Sequence, residues 1–265
     1  MAVLFAVFLL ALPSPALAEE KDTEGLISDL RNGDLAARES AVSSLWKTDD
    51  PSAIEALVFT ALRDESREVR ENATNTLSYV DVPVDISPFV TGLKDPNADI
   101  RGNAAYVLGI FRDEGTFEPL RAALNDESPE VRAKAARAIS SLDNPGVAEA
   151  LLSVSKDSVP EVRAAAIRGL PRSGNPRALE QIAPAMKDAS ALVRSTAAEA
   201  LGLTKEIGLI EGSEGVSLLI QALEDEEPSV RRAAAGAMGS FKDPVSTEPL
   251  INALLKDGNP DVRRA

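Results

Sequence analysis

The chain has 265 residues, 44% hydrophobic and 26% charged, the profile of an ordered globular protein rather than a disordered or collagen-like one. Its 28 Lys and Arg against 42 Asp and Glu give a net charge of −14, which disfavours non-specific binding to nucleic acid or anionic lipid. It has no His and no Cys, so His bases, Cys nucleophiles, disulfides and the usual zinc ligand sets are excluded, leaving carboxylate, Lys, Ser or Tyr chemistry or none.

Residues 2–18 carry no charge. An apolar run from Val3 to Leu12 is followed by Pro13, Pro15 and Ala16-Leu17-Ala18, the h-region and A-x-A site of a secretory signal. The expectation is export to the periplasm or outside the cell, with cleavage after Ala18 and a mature chain starting at Glu19. The n-region has no basic side chain, so an uncleaved anchor is the competing reading. The run is too short and proline-broken for a stable membrane span, which needs about 20 apolar residues.

From there to residue 265 one pattern repeats. It reads DESREVRENATNTL from Asp64, DPNADIRGNAAYVL from Asp95, DESPEVRAKAARAI from Asp126 and DSVPEVRAAAIRGL from Asp157. DASALVRSTAAEAL follows from Asp188, DEEPSVRRAAAGAM from Asp225 and DGNPDVRRA from Asp257. The arginines are Arg70, Arg101, Arg132, Arg163, Arg194, Arg231 and Arg263, at spacings of 31, 31, 31, 31, 37 and 32. Arg38 opens a degenerate first copy in which Asn32 stands where the others have Asp. Prolines at 51, 83, 145, 176 and 244 keep the same period. Such self-similarity predicts a solenoid.

Each copy reads as two helices. The second opens on a polar N-cap before Pro, as in Ser128-Pro129 and Asn259-Pro260, with acids such as Glu130 and Glu161 in its first turn. Counted from the Arg, apolar residues recur at −1, +3 and +7, the buried stripe of a helix. The Ala at +3 is present in every copy that reaches it and is expected to let neighbouring helices approach closely. The first helix carries its own stripe, for example Ile54, Val58 and Leu62, or Ile251 with Leu255.

The pattern Asp-x-x-Pro-x-Val-Arg-x-x-Ala-x-x-x-Leu-Gly resembles HEAT repeats, in particular the bacterial PBS lyase HEAT-like subclass, over residues ~24 to 265. The resemblance implies an all-α, right-handed α-α superhelix with about seven helical pairs and a truncated eighth. It also implies that each Asp and Arg belong to a structural ladder between adjacent turns, and that the second helix lines a concave face. Six extra residues fall within 203–216, and an incidental acidic, glycine-rich loop is expected there.

Function is therefore sought at the positions that vary and are expected to face outward on the second helix, +1, +2 and +5. Asn72, Asn103, Tyr106, Lys134, Arg137 and Arg168 form a mid-array patch there, flanked by Asn75, suited to an acidic protein surface. Exposed aromatics within basic surroundings, which base stacking needs, are lacking, so no nucleic acid is expected. The reading is a non-catalytic, cofactor-free interaction scaffold with a protein partner. The alternative, which the subclass implies, is a tetrapyrrole lyase-like or chaperone-like factor. Deoxyhypusine hydroxylases are also HEAT arrays, but their metal is held by His-Glu pairs, and this chain has no His. The chain stops two residues after Arg263, inside a second helix. That end reads either as a fragment's or as that of a complete chain whose last helix frays.

Overall fold

A computed structural model of the chain describes residues 22–265 apart from 47, 207, 209–212 and 242. The expected signal segment lies outside the described residues; of the stretch 203–216, expected as a loop, 203–206 and 213–216 are helical, and of the six residues between them only Gly208 is described. Contacts divide the chain into two compact units. The first takes the described residues up to Thr60 with Asp64–Pro83, and the second takes Ala61–Arg63 with Val84–Ala265.

The described residues form helices in consecutive pairs. The first unit holds α1 (Thr23–Asn32) with α2 (Leu35–Ser44), and α3 (Pro51–Arg63, whose last turn clusters with the second unit) with α4 (Arg67–Ser78). The second unit continues with α5 (Ser87–Gly92) and α6 (Ala98–Phe111), α7 (Phe117–Ala123) and α8 (Pro129–Ile139), and α9 (Val147–Val154) and α10 (Pro160–Gly169). Then come α11 (Ala178–Ala185) and α12 (Ala191–Glu206), α13 (Ser213–Ala222) and α14 (Pro228–Phe241), and α15 (Thr247–Lys256) with the five-residue α16 (Pro260–Arg264). No strand occurs among the described residues, and no described helix is long and apolar enough to cross a membrane. The fold is an all-α superhelical solenoid.

Caps explain where the helices start. Asp22, Asp34 and Asp50 accept backbone N–H groups at the heads of α1, α2 and α3, and Ser66 and Asn97 do so for α4 and α6. Pro occupies the first turn of α3, α8, α10 and α16, where its missing N–H costs nothing.

The core follows the repeat. Ala41, Ala73, Ala104, Ala135, Ala166, Ala197 and Ala234 are fully buried, as are Leu108, Ile139, Leu170, Leu201 and Met238 four residues after the last five. The first helices α3, α5, α7, α9, α11 and α13 each add a large, fully buried residue: Leu57, Phe89, Leu120, Leu151, Ile182 and Leu219. Burying each is worth about 1.5–3 kcal/mol. The stripe of α3 is centred on Leu57 rather than on Ile54, which is only half-buried. Ile251 and Leu255, read as core from their spacing, are exposed on α15, because no further pair packs against that face among the described residues.

Close approach between successive second helices comes later in the helix than +3. The repeat Ala at 104 lies against Gly92 of its own first helix. A Cβ on Gly109 would come within 2.8 Å of Ala138 Cα, and one on Gly202 within 2.9 Å of Ala237 Cβ. Small residues at these crossings let the second helices pack directly on one another from α6 to α14, while the first helices of successive pairs touch little.

Candidate functional site

The Asp and Arg of each copy stand six residues apart, and that spacing places them at opposite ends of one loop. Each Asp closes an Asx turn at the entrance to the second helix. Its Oδ1 accepts the N–H two residues on, from Ser66, Asn97, Ser128, Val159, Ser190, Glu227 and Asn259, at 2.8–2.9 Å. Ser128, expected as a side-chain cap, makes no such bond, unlike Ser66, Asn97 and Asn259 at the same place in their copies.

The Arg in the first turns of the helix bonds in two directions. Nη1 of Arg132 returns to its own loop, donating to the carbonyls of Asp126 at 2.8 Å and Glu127 at 3.1 Å. Arg70 and Arg263 make the same bond to the Asp64 and Asp257 carbonyls, at 2.6 and 2.7 Å. Nε and Nη2 then grip the next copy's carboxylate through both oxygens. The distances are 2.7 and 2.9 Å from Arg101 to Asp126, 2.8 and 3.0 Å from Arg132 to Asp157, and 2.8 and 2.7 Å from Arg163 to Asp188. Arg194 to Asp225 gives 2.7 and 2.8 Å, and Arg231 to Asp257 gives 2.7 and 2.9 Å. In the first unit Arg38 holds Asp64 likewise, at 2.8 and 3.2 Å. Asp95 pairs with Arg63 of α3 at 2.7 Å.

In the five pairs from Arg101 to Asp257 the side chains are 9–16% exposed. The guanidinium beside each of Asp157, Asp225 and Asp257 holds its carboxyl below the ordinary range, to about 2 at Asp257. At Asp126 and Asp188 burial works in the opposite direction, and the arginine with the Asx-turn N–H outweighs it. The longer connection after α12 leaves this geometry unchanged: Arg194 and Asp225 are 31 residues apart, against 25 or 26 elsewhere in the row.

The patch expected on the second helices is only partly assembled. Asn72 is half-buried on α4 of the first unit. Asn103 is 9% exposed, and its Nδ2 donates to the Leu62 carbonyl at 3.0 Å, so it serves the chain's own backbone rather than a surface. Lys134 lies over Gly102, where a Cβ would meet its side chain at 3.2 Å, and pairs with Glu130 at 2.9 Å. Arg168 binds Glu199 at 2.8 Å and Thr196 at 3.3 Å. Tyr106 is 37% exposed, and Arg137 is exposed with no carboxylate partner among the described residues.

The register explains the difference. At +1 and +2 Gly102, Ala133, Ala164, Asn103, Ala165 and Thr196 are buried where adjacent second helices close over them, whereas Lys134, Ser195 and Ala233 are half-buried and Arg232 is exposed. Position +5 faces outward along the row: Tyr106, Arg137, Arg168, Glu199 and Gly236. Arg172, in the short 3-10 turn Leu170–Ser173 that follows α10, is also exposed and without a carboxylate partner among the described residues. Past Glu199, an open groove of about 400 Å³ between α12 and α14 is floored by Gly202, Ala233, Gly236 and Ala237 and edged by Glu199, Glu206 and Arg232. No described group of three or more carboxylates is placed to share a metal ion.

The family model for HEAT repeats matches residues 86–160, 148–208 and 203–265. No curated protein matches the chain. Among solved structures the chain is similar to the complex of CpcE and CpcF of phycocyanin lyase from Nostoc sp., with 17% identity over 94% of this chain and 96% of that one and a TM-score of 0.50. It is similar to YibA of Escherichia coli, with 18% identity over 92% and 91% and a TM-score of 0.59. It is also similar to the S. pombe condensin Cnd3-Cnd2 subcomplex, with 17% identity over 88% of this chain and 35% of that one and a TM-score of 0.65. At such identities the likeness is one of fold. Repeat spacing, paired helices and a family match over more than half of its length agree: the chain belongs to the HEAT-repeat family.

Proposed function

We propose that the protein is a non-catalytic interaction scaffold, exported from the cytoplasm, that receives a protein partner on the concave face made by its second helices. The observation that carries this reading is the packing of the second unit. Its second helices touch along the whole row while its first helices touch little, which supports a surface curving inward on the side of the second helices. Along that side the varying residues point outward at one position per helix, a regular row of attachment points of the kind solenoids use for extended partners. Export rests on the uncharged segment 2–18 and its A-x-A site.

A photo-crosslinker placed at Tyr106, compared with one at Arg121 on the outer helix α7, tests the reading in the full chain. A defined protein is expected to be labelled from position 106 and not from 121. Equal labelling from both, or none from 106, overturns it. The second reading, a tetrapyrrole lyase-like or chaperone-like factor, is supported by the subclass that the repeats resemble and by the fold likeness to the phycocyanin lyase complex. Binding of a free bilin, seen as a shift of its visible absorption, would support that reading instead.

A further inference from the structure

We propose that the inner face of the second unit binds an acidic, extended segment of its partner, with Arg137 and Arg172 as the groups that contact its carboxylates and Tyr106 as the neighbouring apolar contact. This rests on the scaffold reading of that face and names the chemistry of what it holds.

Most cations of the second helices are held by acids of the chain itself. Arg101, Arg132, Arg163, Arg194 and Arg231 are held by the aspartates of the next copy. Lys134 and Arg168 are held by Glu130 and Glu199. Arg137 and Arg172 stand apart from these, exposed and without an acid among the described residues. In a chain of charge −14, two uncompensated guanidinium groups on neighbouring rungs form a local cationic spot.

Their placement suits an extended chain. Arg137 on α8 and Arg168 on α10 hold the same position of adjacent helices, about 8–10 Å apart. Arg172 follows Arg168 by four residues, in the 3-10 turn Leu170–Ser173 that continues from α10, roughly 6–8 Å further along. In an extended peptide, side chains of one face repeat about every 6.6 Å, so acids at alternate or every third position meet both arginines. A guanidinium presents a planar fork that fits a carboxylate through two bonds, the geometry this chain uses between its own copies. Tyr106, one rung before Arg137 and 37% exposed, offers an apolar ring beside the charged spot. On the other side Glu199 is taken up by Arg168 and Glu206 brings negative charge to the groove, so the acidic stretch ends before α12. Nucleic acid is disfavoured, because a polyanion long enough to leave the spot meets the acidic remainder of the chain.

The test uses the full chain and fluorescein-labelled decapeptides rich in Asp and Glu, with an Asn/Gln counterpart and a Lys counterpart, read by anisotropy at physiological salt. The acidic peptide is expected to bind at least about 10-fold tighter than the Asn/Gln peptide. Arg137→Glu and Arg172→Glu are each expected to weaken it by about 10-fold, corresponding to about 1.4 kcal/mol per contact. Arg121→Glu makes the same change of net charge on the outer helix α7 and leaves the affinity unchanged. Thermal melts of the two inner variants match the parent, since neither arginine has an internal partner to lose.

The proposal is overturned if the acidic peptide binds no tighter than the Asn/Gln peptide, or if Arg121→Glu weakens it as much as Arg137→Glu. Tighter binding of a single-stranded oligonucleotide than of the acidic peptide also overturns it. Crosslinking from position 106 separates this outcome from the fate of the scaffold reading. A labelled partner that the acidic peptide does not displace leaves the scaffold standing and removes the acidic-segment assignment. Absence of any label removes the scaffold itself, while the peptide titration still decides the chemistry.

Discussion

Replacing Asp157 probes the joint between copies at a carboxylate held chiefly by Arg132 and the Val159 N–H. Its carboxylate receives Arg132 Nε at 2.8 Å, Arg132 Nη2 at 3.0 Å and the Val159 N–H at 2.8 Å, and its side chain is 11% exposed. Asp157→Ala removes all three acceptor contacts. Hydrogen bonds to charged groups contribute about 1.5–3 kcal/mol each, and losing a turn-capping acceptor costs about 1 kcal/mol. Arg132 keeps its bonds to the Asp126 and Glu127 carbonyls and, at 14% exposure, some access to water, which offsets part of the loss. The expected cost is therefore about 3 kcal/mol, at the lower end of what breaking a buried pair causes. Asp157→Asn keeps an oxygen for Val159 but turns an amide donor toward a guanidinium donor, and should cost about 1.5–2 kcal/mol. Arg63→Ala is the reference: its side chain is 44% exposed, so losing its bond to Asp95 should cost less than about 0.5 kcal/mol. Urea unfolding followed by circular dichroism measures these values, with the slope checked for each variant because arrays lose cooperativity when a joint weakens. A double-mutant cycle with Arg132→Ala isolates the pair. The reasoning fails if the coupling lies within 0.5 kcal/mol of zero, or if Asp157→Ala and Asp157→Asn cost the same.

Acid should undo these joints together. The folded chain holds protons on Asp157, Asp225 and Asp257 less readily than the unfolded chain, so falling pH favours unfolding. Their contribution is complete above about pH 4 and fades as pH drops through the lowered values, reaching about 2 at Asp257. Stability that stays flat from pH 5 to 2 would contradict this. Gly109→Ala should destabilise by about 1–3 kcal/mol by pushing on Ala138, whereas Gly236→Ala, with open space around it, should stabilise by about 0.5–1 kcal/mol in the same denaturation assay. Asn103→Ala should cost about 1–2 kcal/mol by leaving the Leu62 carbonyl unpaired, with no change in acidic-peptide affinity. Mass spectrometry of the exported protein should find Glu19 at its N-terminus; a retained residue 1–18 segment would favour the anchor reading.

The repeat period, the paired helices and the buried Ala and Leu positions were legible because each copy restates them. A buried stripe seen once is ambiguous, but seen in register at Ala104, Ala135 and Ala166 it is not. The outward positions were harder. Asn103 and Lys134 share the +2 position, yet one is buried against Leu62 and the other reaches past Gly102 to Glu130. Helical periodicity tells which side faces the core but not how far the next helix covers the flanks. That depends on the close crossings at Gly109 and Gly202, which belong to pairs of helices. A signal was available in the series itself: Ala165, Thr196 and Ala233 at +2 are small, as crowded positions require, whereas +5 admits Tyr106 and Arg137. Pairing of Arg168 with Glu199 lay 31 residues away in sequence and became visible only when α10 and α12 were set side by side.

The constant six-residue interval between Asp and Arg makes each copy from Arg101 to Arg231 a standard coupling, while the stretch from Arg to the next Asp there varies from 25 to 31 residues without altering the bond it must reach. Tolerance to insertion is thus unequal along the gene. Added residues are absorbed where Arg194 leads to Asp225, but one residue added between Asp157 and Arg163 would rotate the guanidinium by 100° around its helix and uncouple two neighbours at once. An array built this way lengthens or shortens by whole copies and diversifies in its connections, with the short interval acting as a reading frame for the fold.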